Sequence, residues 1–395
     1  MSLKKKETLP PGVKRAVGPE VFIFLAVFLL FFILIGSRMG TTNMLNTMMN
    51  TAFDLLMNTC FYIMAIAVLA GAISALFSEF GVISLFNKLL SKPIEKIYGL
   101  PGASAVGIFT TYLSDNPAIL TLAHDNTFRR YFKKYQLPAL TNIGTSFGMG
   151  LIITTYMAAV KSPSGESFGL AVLVGNLAAI IGSIVSTRLM LIKTAKIYGK
   201  TEMCEIDTEV EIADINVYRR VRTGTVGTRF MDAVLSGGRT GVEMGLAIIP
   251  GVLIICTLVM ILTNSAPEGG YTGAAYEGVG FLPWIGEKLN FILQPLFGLS
   301  SPDGIAVPIT ALGAAGAAIG IADTLVLGGK ANAHDVAVFT AMCMCWSGYL
   351  STHVAMMDSI KCNKLTGHAI LCHTIGGLCA GFAANWGFKL LAILL

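Results

Sequence analysis

Long apolar stretches separated by short polar turns form the basic pattern of this chain. A helix needs roughly 20 apolar residues to cross about 30 Å of hydrocarbon. Stretches near that length occur on both sides of a hydrophilic loop at residues 193–228. The pattern predicts spanning helices at Glu20–Gly36, Cys60–Phe77, Leu137–Val160, Phe168–Ile192, Gly241–Leu262, Val336–Met357 and His368–Leu395.

Other stretches alternate apolar and polar residues, which is typical of helices that lie in the membrane interface. Val82–Tyr98 carries lysines at four-residue spacing opposite leucine and isoleucine, and Asn43–Asn58 mixes Met and Leu with Asn and Thr. Both are predicted to be interfacial helices, as is Phe281–Phe297. Arg229–Gly237 predicts a further short segment before the span that follows it.

An apolar stretch at Gly99–Phe128 is interrupted by the polar residues Ser114–Pro117. Its flanking halves, Ala103–Leu113 and Ala118–Ala123, are each too short to span a membrane. Asp and Asn cap helices well, and Pro is tolerated in the first turn. The stretch therefore predicts a re-entrant hairpin with a polar tip, or alternatively one kinked helix or a loop. Gly304–Gly329 is broken by small residues in a comparable way.

Composition places the chain in the membrane class. It has 395 residues, of which 54% are hydrophobic and 13% charged, against about 25% charged in soluble domains. The net charge of +5 is spread over loops and does not indicate nucleic acid as a partner. The 8 Cys contain no CxxC pair, which predicts packing residues rather than disulfides or a metal site. No catalytic motif is found, so we expect no enzyme.

The two halves of the sequence align without gaps at an offset of 199 residues. Each half then has three crossings and a hairpin, and this odd number of crossings predicts inverted repeats. With a cytoplasmic N-terminus, the segments predicted to lie outside hold few basic residues, as the positive-inside rule requires. Those basic residues are Arg38, Lys161, Lys288, Lys330 and Lys389.

The expected fold is an all-α polytopic membrane protein. It contains two inverted repeats, each with an interfacial helix, a re-entrant helical hairpin and three spanning helices, plus one N-terminal spanning helix. The predicted divisions are the N-terminus and first helix (1–40), the first repeat (41–193, hairpin 102–128), a cytoplasmic linker (194–228) and the second repeat (229–395, hairpin 301–329).

Polar residues at membrane depth are the candidate site. A carboxylate there is costly and by default marks a substrate or ion site, although Asp115 would also serve as a helix cap. In the second half, the offset places Asp323 and Thr324 on the arm after the tip. The candidate substrate-binding residues are Thr111, Ser114, Asp115, Asn116, Asp323, Thr324, Ser347 and Ser351.

Asn142, Thr145 and Ser146 lie on a glycine-rich span directly after the first hairpin. Their amide and hydroxyl oxygens suit sodium, and packing between helices is an equally good explanation of these small residues. They are the candidate ion-binding residues, with Na⁺ as a possible coupling ion and no other cofactor expected.

The order of these parts resembles the nucleoside-recognition (Gate) domain of YjiH-like membrane proteins, a family related to the concentrative nucleoside transporters. The resemblance rests on GLPG at 99–102, SDNPA at 114–118 and ALTNIGTSFG at 139–148, and it covers about residues 40–395. It implies solute contacts at the first tip, and a sodium site between that tip and the next span, which maps onto Asn142, Thr145 and Ser146. The ribose-binding Glu and Asn of the transporters are not evident in the second half. By analogy with the family we also expect a homo-oligomer.

These observations predict a secondary transporter in the cell membrane. It would move a small polar solute, a nucleoside or a related metabolite, with sodium or proton coupling, by alternating access around a midplane site between two hairpins. One alternative is a membrane scaffold or signalling protein, in which the basic loop Lys193–Arg239 would carry the function. Another alternative is a passive channel.

Overall fold

A computed structural model describes residues 14, 16–120, 123, 129, 131–205 and 221–394. Within them, side chains are described except at positions 70, 83, 86, 87, 91, 117, 244, 247, 248, 251 and 351. The described part of the chain is helical, apart from one isolated bridge between Lys133 and Met203. Several of its helices are long and apolar enough to cross a bilayer. The chain is therefore a multi-pass membrane protein of all-α class.

The first half follows one order of elements. It begins with α1, α2, a π-helical segment and α3, and continues through the amphipathic α4 to the short α5 and a 3₁₀ turn. A broken pair, α6 and α7, and the long α8 complete it. The bounds are α1 Pro19–Met39, α2 Thr41–Asp54, π Leu55–Cys60, α3 Phe61–Glu79, α4 Val82–Tyr98, α5 Ser104–Leu113, 3₁₀ Asn116–Leu120, α6 Ala139–Thr145, α7 Gly150–Ala159 and α8 Gly169–Tyr198.

The second half repeats this order without a counterpart of α1. Its bounds are α9 Val226–Gly251, π Val252–Cys256, α10 Thr257–Thr263, α11 Phe281–Phe297, 3₁₀ Pro302–Ile305, α12 Ala306–Ala311, α13 Ala315–Leu327, α14 Ala333–Trp346, α15 Tyr349–Ser359, 3₁₀ Asn363–Leu365 and α16 Thr366–Leu394.

The predictions of separate short helices at 43–58 and 229–237 are wrong. Thr41–Glu79 is one continuous helical run, and Val226 begins a run that continues to Thr263. Each run contains a π-helical segment, which absorbs an extra residue without ending the helix. Two polar residues of the first stretch contact a loop of the second half: Asn43 and Asn50 donate to the carbonyl oxygens of Tyr271 and Gly273.

The predicted amphipathic helices α4 and α11 have bounds that differ by 199 residues at each end. Both end at a glycine in the left-handed region, Gly99 (φ 75°) and Gly298 (φ 62°), where a residue without Cβ is favoured. The offset found by sequence alignment thus also relates the observed helix ends.

Long helices of the two halves cross each other through glycines. A Cβ added to Gly71 of α3 would lie 2.3 Å from the Gly237 carbonyl oxygen of α9, and one added to Gly182 of α8 would lie 2.5 Å from the Gly376 oxygen of α16. Without a strong hydrophobic force between helices in lipid, such close backbone approach is a main source of association. These crossings hold the two halves together.

Two buried carboxylates, those of Glu79 and Glu277, accept hydrogen bonds that hold neighbouring segments of the chain in place. At the end of α3, Glu79 accepts hydrogen bonds from Arg222 Nη1 (2.9 Å) and Arg229 Nε (2.7 Å). In the loop at residues 264–280, Glu277 accepts from the Thr272 hydroxyl (2.6 Å) and the Gly273 amide (3.0 Å). Although burial opposes ionisation, these donors hold the pKa of Glu277 below its ordinary value.

Candidate functional site

The first hairpin tip is a helix break capped by its own residues. The α-helix α5 ends at Leu113, and the chain turns at Ser114 and Asp115 before the 3₁₀ segment begins. Asp115 Oδ1 accepts a hydrogen bond from the Asn116 amide at 2.7 Å, and the Ser114 hydroxyl donates to the Thr110 carbonyl at 2.7 Å. Asp115 therefore bonds to the first amide of the 3₁₀ segment, an arrangement compatible with ligand binding. Residues 121–122 and 124–128 of the predicted hairpin lie outside the described residues.

The predicted span at 137–160 is interrupted beside this tip. It divides into α6 and α7, and Met149 adopts a left-handed conformation (φ 55°) at the start of α7. The Met149 amide donates to the Ser114 carbonyl at 3.2 Å, so the broken span is bonded directly to the tip. A Cβ added to Gly148 would lie 1.3 Å from Asn116 Oδ1, so a larger residue at this position would have to displace the Asn116 side chain.

The second half contains the same kind of break. The predicted span at 336–357 divides at Ser347 and Gly348, and Gly348 has φ 67°. Its amide donates to the Ala311 carbonyl at 2.9 Å, at the end of the first arm of the second hairpin. Each hairpin is thus tied by a backbone hydrogen bond to the interrupted span that follows it.

Asn116 joins the two halves at this point. Its Nδ2 donates to the Ser347 carbonyl at 2.7 Å and approaches the Thr352 hydroxyl at 3.3 Å, while the Ser347 hydroxyl donates to the Gly148 carbonyl at 3.0 Å. Asn116 is 1% exposed, and its Oδ1 has no hydrogen-bond partner among the described residues. An unsatisfied buried acceptor costs about 1–3 kcal/mol. The site therefore presents a buried oxygen able to accept from a ligand or water.

Two contacts here join residues that are 199 positions apart in the sequence. Ser347 bonds to Gly148, and Cys345 Sγ lies 3.8 Å from Ser146 Oγ. The two span breaks therefore contact each other.

The candidate ion-binding residues are buried and engaged in hydrogen bonds. Asn142 Nδ2 donates to Ser186 Oγ and to the Ala369 carbonyl, both at 2.9 Å. The hydroxyls of Thr145 and Ser146 donate to carbonyls one turn earlier on α6, at 2.8 and 2.9 Å. The amide of Asn142 thus points to α8 and α16, while the two hydroxyl residues lie at the end of α6, directly at the break.

Two histidines extend this polar region. His353 Nδ1 lies 3.4 Å from Thr145 Oγ1, and His373 connects Ser186 Oγ (2.9 Å) to the Cys345 carbonyl. The two imidazole rings are 4.7 Å apart and both side chains are 0% exposed. The candidate site set did not include these histidines, nor Gly148 and Thr352. The 199-residue offset between Gly148 and Ser347 was the signal that could have found Gly148.

The remaining candidates lie apart from the bonds at Asn116. Thr111 and Thr324 donate to carbonyls of their own helices, at 2.7 and 3.0 Å. Asp323 lies about two turns into α13 and accepts from the Tyr156 hydroxyl at 3.4 Å, on α7. The side chain of Ser351 is outside the described part of the chain.

Comparison with known proteins gives structural matches without sequence relatives. No family model matches the chain, and no curated protein does. A doubly substituted CNTnw in an outward-facing state matches with TM-score 0.51 and 12% identity, over 93% of this chain and 85% of that chain. CNTnw in an inward-facing substrate-bound state matches with TM-score 0.54 and 15% identity, over 85% of this chain and 77% of that chain.

The fold is that of a concentrative nucleoside transporter. This similarity extends over most of both chains. At these identities it establishes the architecture. The finer resemblance to YjiH-like Gate-domain proteins remains a prediction.

Proposed function

We propose that this chain is a secondary transporter that moves a small polar solute, a nucleoside or a related metabolite, across the cell membrane. The observation that carries the proposal is the buried meeting point of the first hairpin tip with both broken spans at Asn116. Transporters hold their substrates near the midplane with discontinuous helices of this kind. The transporter fold of the matched structures supports the same function.

Within this proposal, Ser114, Asp115, Asn116 and Ser347 contact the solute, with Thr111, Asp323, Thr324 and Ser351 in the surrounding arms. The unpartnered Asn116 oxygen would accept a hydrogen bond from a solute N–H or O–H group. Ser114 and Asp115 lie beside it at the same tip. A polar solute with ring N–H or hydroxyl donors fits this arrangement.

Coupling to sodium or protons is the second part of the proposal. Asn142, Thr145 and Ser146 lie in the last turn before the break in the first span, where the backbone hydrogen bonds change from i→i−4 to i→i−3. Carbonyl and hydroxyl oxygens are ligands for a hard cation. An ion held there would reinforce the position of the tip that is bonded to Met149.

Alternating access requires that the halves have two arrangements of similar free energy. Contacts between residues 199 apart agree with two related repeats. The odd number of predicted crossings and the distribution of Lys and Arg favour inverted repeats, with residue 205 in the cytoplasm and residue 272 outside. The bonds from Asn116 to Ser347 and Thr352 join neutral groups, each with a net value of about 1 kcal/mol. Exchanging them for bonds to solute or water would therefore need only a small change in free energy.

Uptake into proteoliposomes tests the proposal. The purified chain would be assayed with labelled nucleosides and nucleobases under a sodium gradient, a proton gradient or no gradient. We expect accumulation above equilibrium with one gradient, and loss of uptake in Asn116→Ala with a matched control, Asn363→Ala, near wild type. Equilibration without any gradient would indicate a channel, and absence of flux for every solute would contradict transport.

A further inference from the structure

A groove opens between the N-terminal helix α1 and the second half. Its cavity volume is about 580 Å³. The walls are apolar and come from α1, the end of α10 and the start of α11, including Phe31, Leu34, Ile35, Leu262, Phe281 and Trp284. This groove is separate from the site at Asn116.

One end of the groove carries a positive charge. Arg38 and Ser37, in the last turn of α1, line the same cavity. The Arg38 side chain is exposed and forms no ion pair or hydrogen bond with the residues the structure describes. An unpaired guanidinium next to a long apolar groove is suited to an amphiphile with an anionic head.

Aromatic residues indicate the depth of this end in the membrane. Phe281 and Trp284 stack with ring centroids 6.1 Å apart at the first turn of α11. Trp is enriched at the level of the lipid headgroups, where its apolar ring and polar N–H are both accommodated. The end of α1 that carries Arg38 therefore lies at headgroup depth, and the apolar part of the groove extends into the acyl-chain region.

We propose that this groove binds one anionic phospholipid, with its phosphate on Arg38 and an acyl chain along Leu34 and Leu262. A neutral protein surface would satisfy the apolar walls but would leave the Arg38 charge unpaired. The lipid would also stabilise the position of α11, which packs closely against the start of the second hairpin. The closeness of this packing is seen at Gly286, where an added Cβ would lie 2.8 Å from the Pro302 carbonyl oxygen. The inference does not depend on whether the chain transports a solute.

The test uses the full chain purified in a neutral detergent. Phosphatidylglycerol, phosphatidylcholine and inorganic phosphate would be titrated separately, with thermal unfolding and native mass spectrometry as readouts. We expect phosphatidylglycerol to raise the unfolding temperature and to remain bound as one molecule per chain. Inorganic phosphate should have no such effect, since it cannot occupy the apolar walls.

Two variants test the contacts of the lipid headgroup and of the acyl chain separately. Arg38→Gln should weaken phosphatidylglycerol binding by about tenfold or more, the value of a lost charge-assisted bond, and should affect phosphatidylcholine less because its choline cation offsets the phosphate charge. Leu34→Trp should block both lipids by filling the groove. Lys288→Gln, an exposed charge on α11 outside the groove, is the matched control.

Equal binding of both lipids by the wild-type chain would contradict the proposal, as would unchanged phosphatidylglycerol binding in Arg38→Gln. A change of oligomeric state in Leu34→Trp, without a change in lipid binding, would show that a second copy covers the groove and would also overturn it.

Discussion

Replacing Gly148 with alanine would test the contact on which the candidate site depends. The added Cβ would lie 1.3 Å from Asn116 Oδ1 and 2.5 Å from its Cγ, so the two side chains cannot occupy their present positions together. Asn116 would have to leave its bonds to Ser347 and Thr352.

The magnitude follows from overpacking and lost hydrogen bonds. Inserting a methyl group into a packed interior costs typically 1–3 kcal/mol. Displacing Asn116 adds about 1 kcal/mol for its bond to Ser347, whose buried carbonyl loses a donor. We therefore expect Gly148→Ala to destabilise the protein by roughly 2–4 kcal/mol.

A second substitution, Asn116→Ala, tests whether the loss of stability arises from this contact. Asn116→Ala removes the atoms that the new methyl group would strike, so the double variant should be more stable than the sum of the single variants implies. We expect a coupling free energy of roughly 1–3 kcal/mol from the double-mutant cycle. The assay is reversible unfolding of the purified chain in detergent, followed by circular dichroism.

Gly169→Ala is the control, because a Cβ there meets nothing within 4 Å. It should leave stability near wild type. Additive effects of Gly148→Ala and Asn116→Ala would refute the reasoning, since they would mean that the two residues do not contact each other.

Three further predictions concern charge, topology and transport. Glu277→Gln should remove a pH dependence of stability. Because the pKa of Glu277 is lower in the folded protein, its carboxylate stabilises the fold above the ordinary carboxyl pKa of about 4.3, and this stabilisation is lost as the pH falls below that value. The thermal stability of wild type should therefore drop more steeply in acid than that of the variant. Single cysteines at Thr272 and Glu205, in a thiol-free background, should label from outside and inside respectively; labelling of both from one side would exclude inverted repeats. Asp115→Asn should keep the cap on Asn116 and lose at most ~1 kcal/mol of stability, but reduce uptake at least about tenfold if the carboxylate contacts solute or ion; wild-type uptake would limit Asp115 to capping.

The linear sequence determined the class of the protein and most of its helices. Apolar length predicted the long helices α1, α8 and α16 because the bilayer sets a minimum span. Amphipathic patterning similarly predicted the bounds of α4 and α11, since it is a local property of the chain. The interruption at Ser114–Pro117 also predicted the first tip.

Only the tertiary structure decided how the long runs divide. Thr41–Glu79 continues through residues that looked interfacial, because a π-helical segment and loop contacts satisfy them. The spans at 137–160 and 336–357 looked continuous in their hydropathy, yet both are broken where their backbone bonds to a hairpin. Hydropathy averaged over the length of a span does not register such a break, since the few polar residues there are outnumbered by apolar ones.

The candidate site, too, was determined partly by the sequence and partly by the tertiary structure. The sequence identified Asn116 and Ser347 as polar residues at membrane depth, but their bond joins positions 231 residues apart and arises only from packing of the two halves. It did not identify Gly148, which is needed because Asn116 approaches its Cα, a steric requirement set entirely by the folded partner. Local chemistry thus determined which residues were available, and long-range packing determined which of them meet.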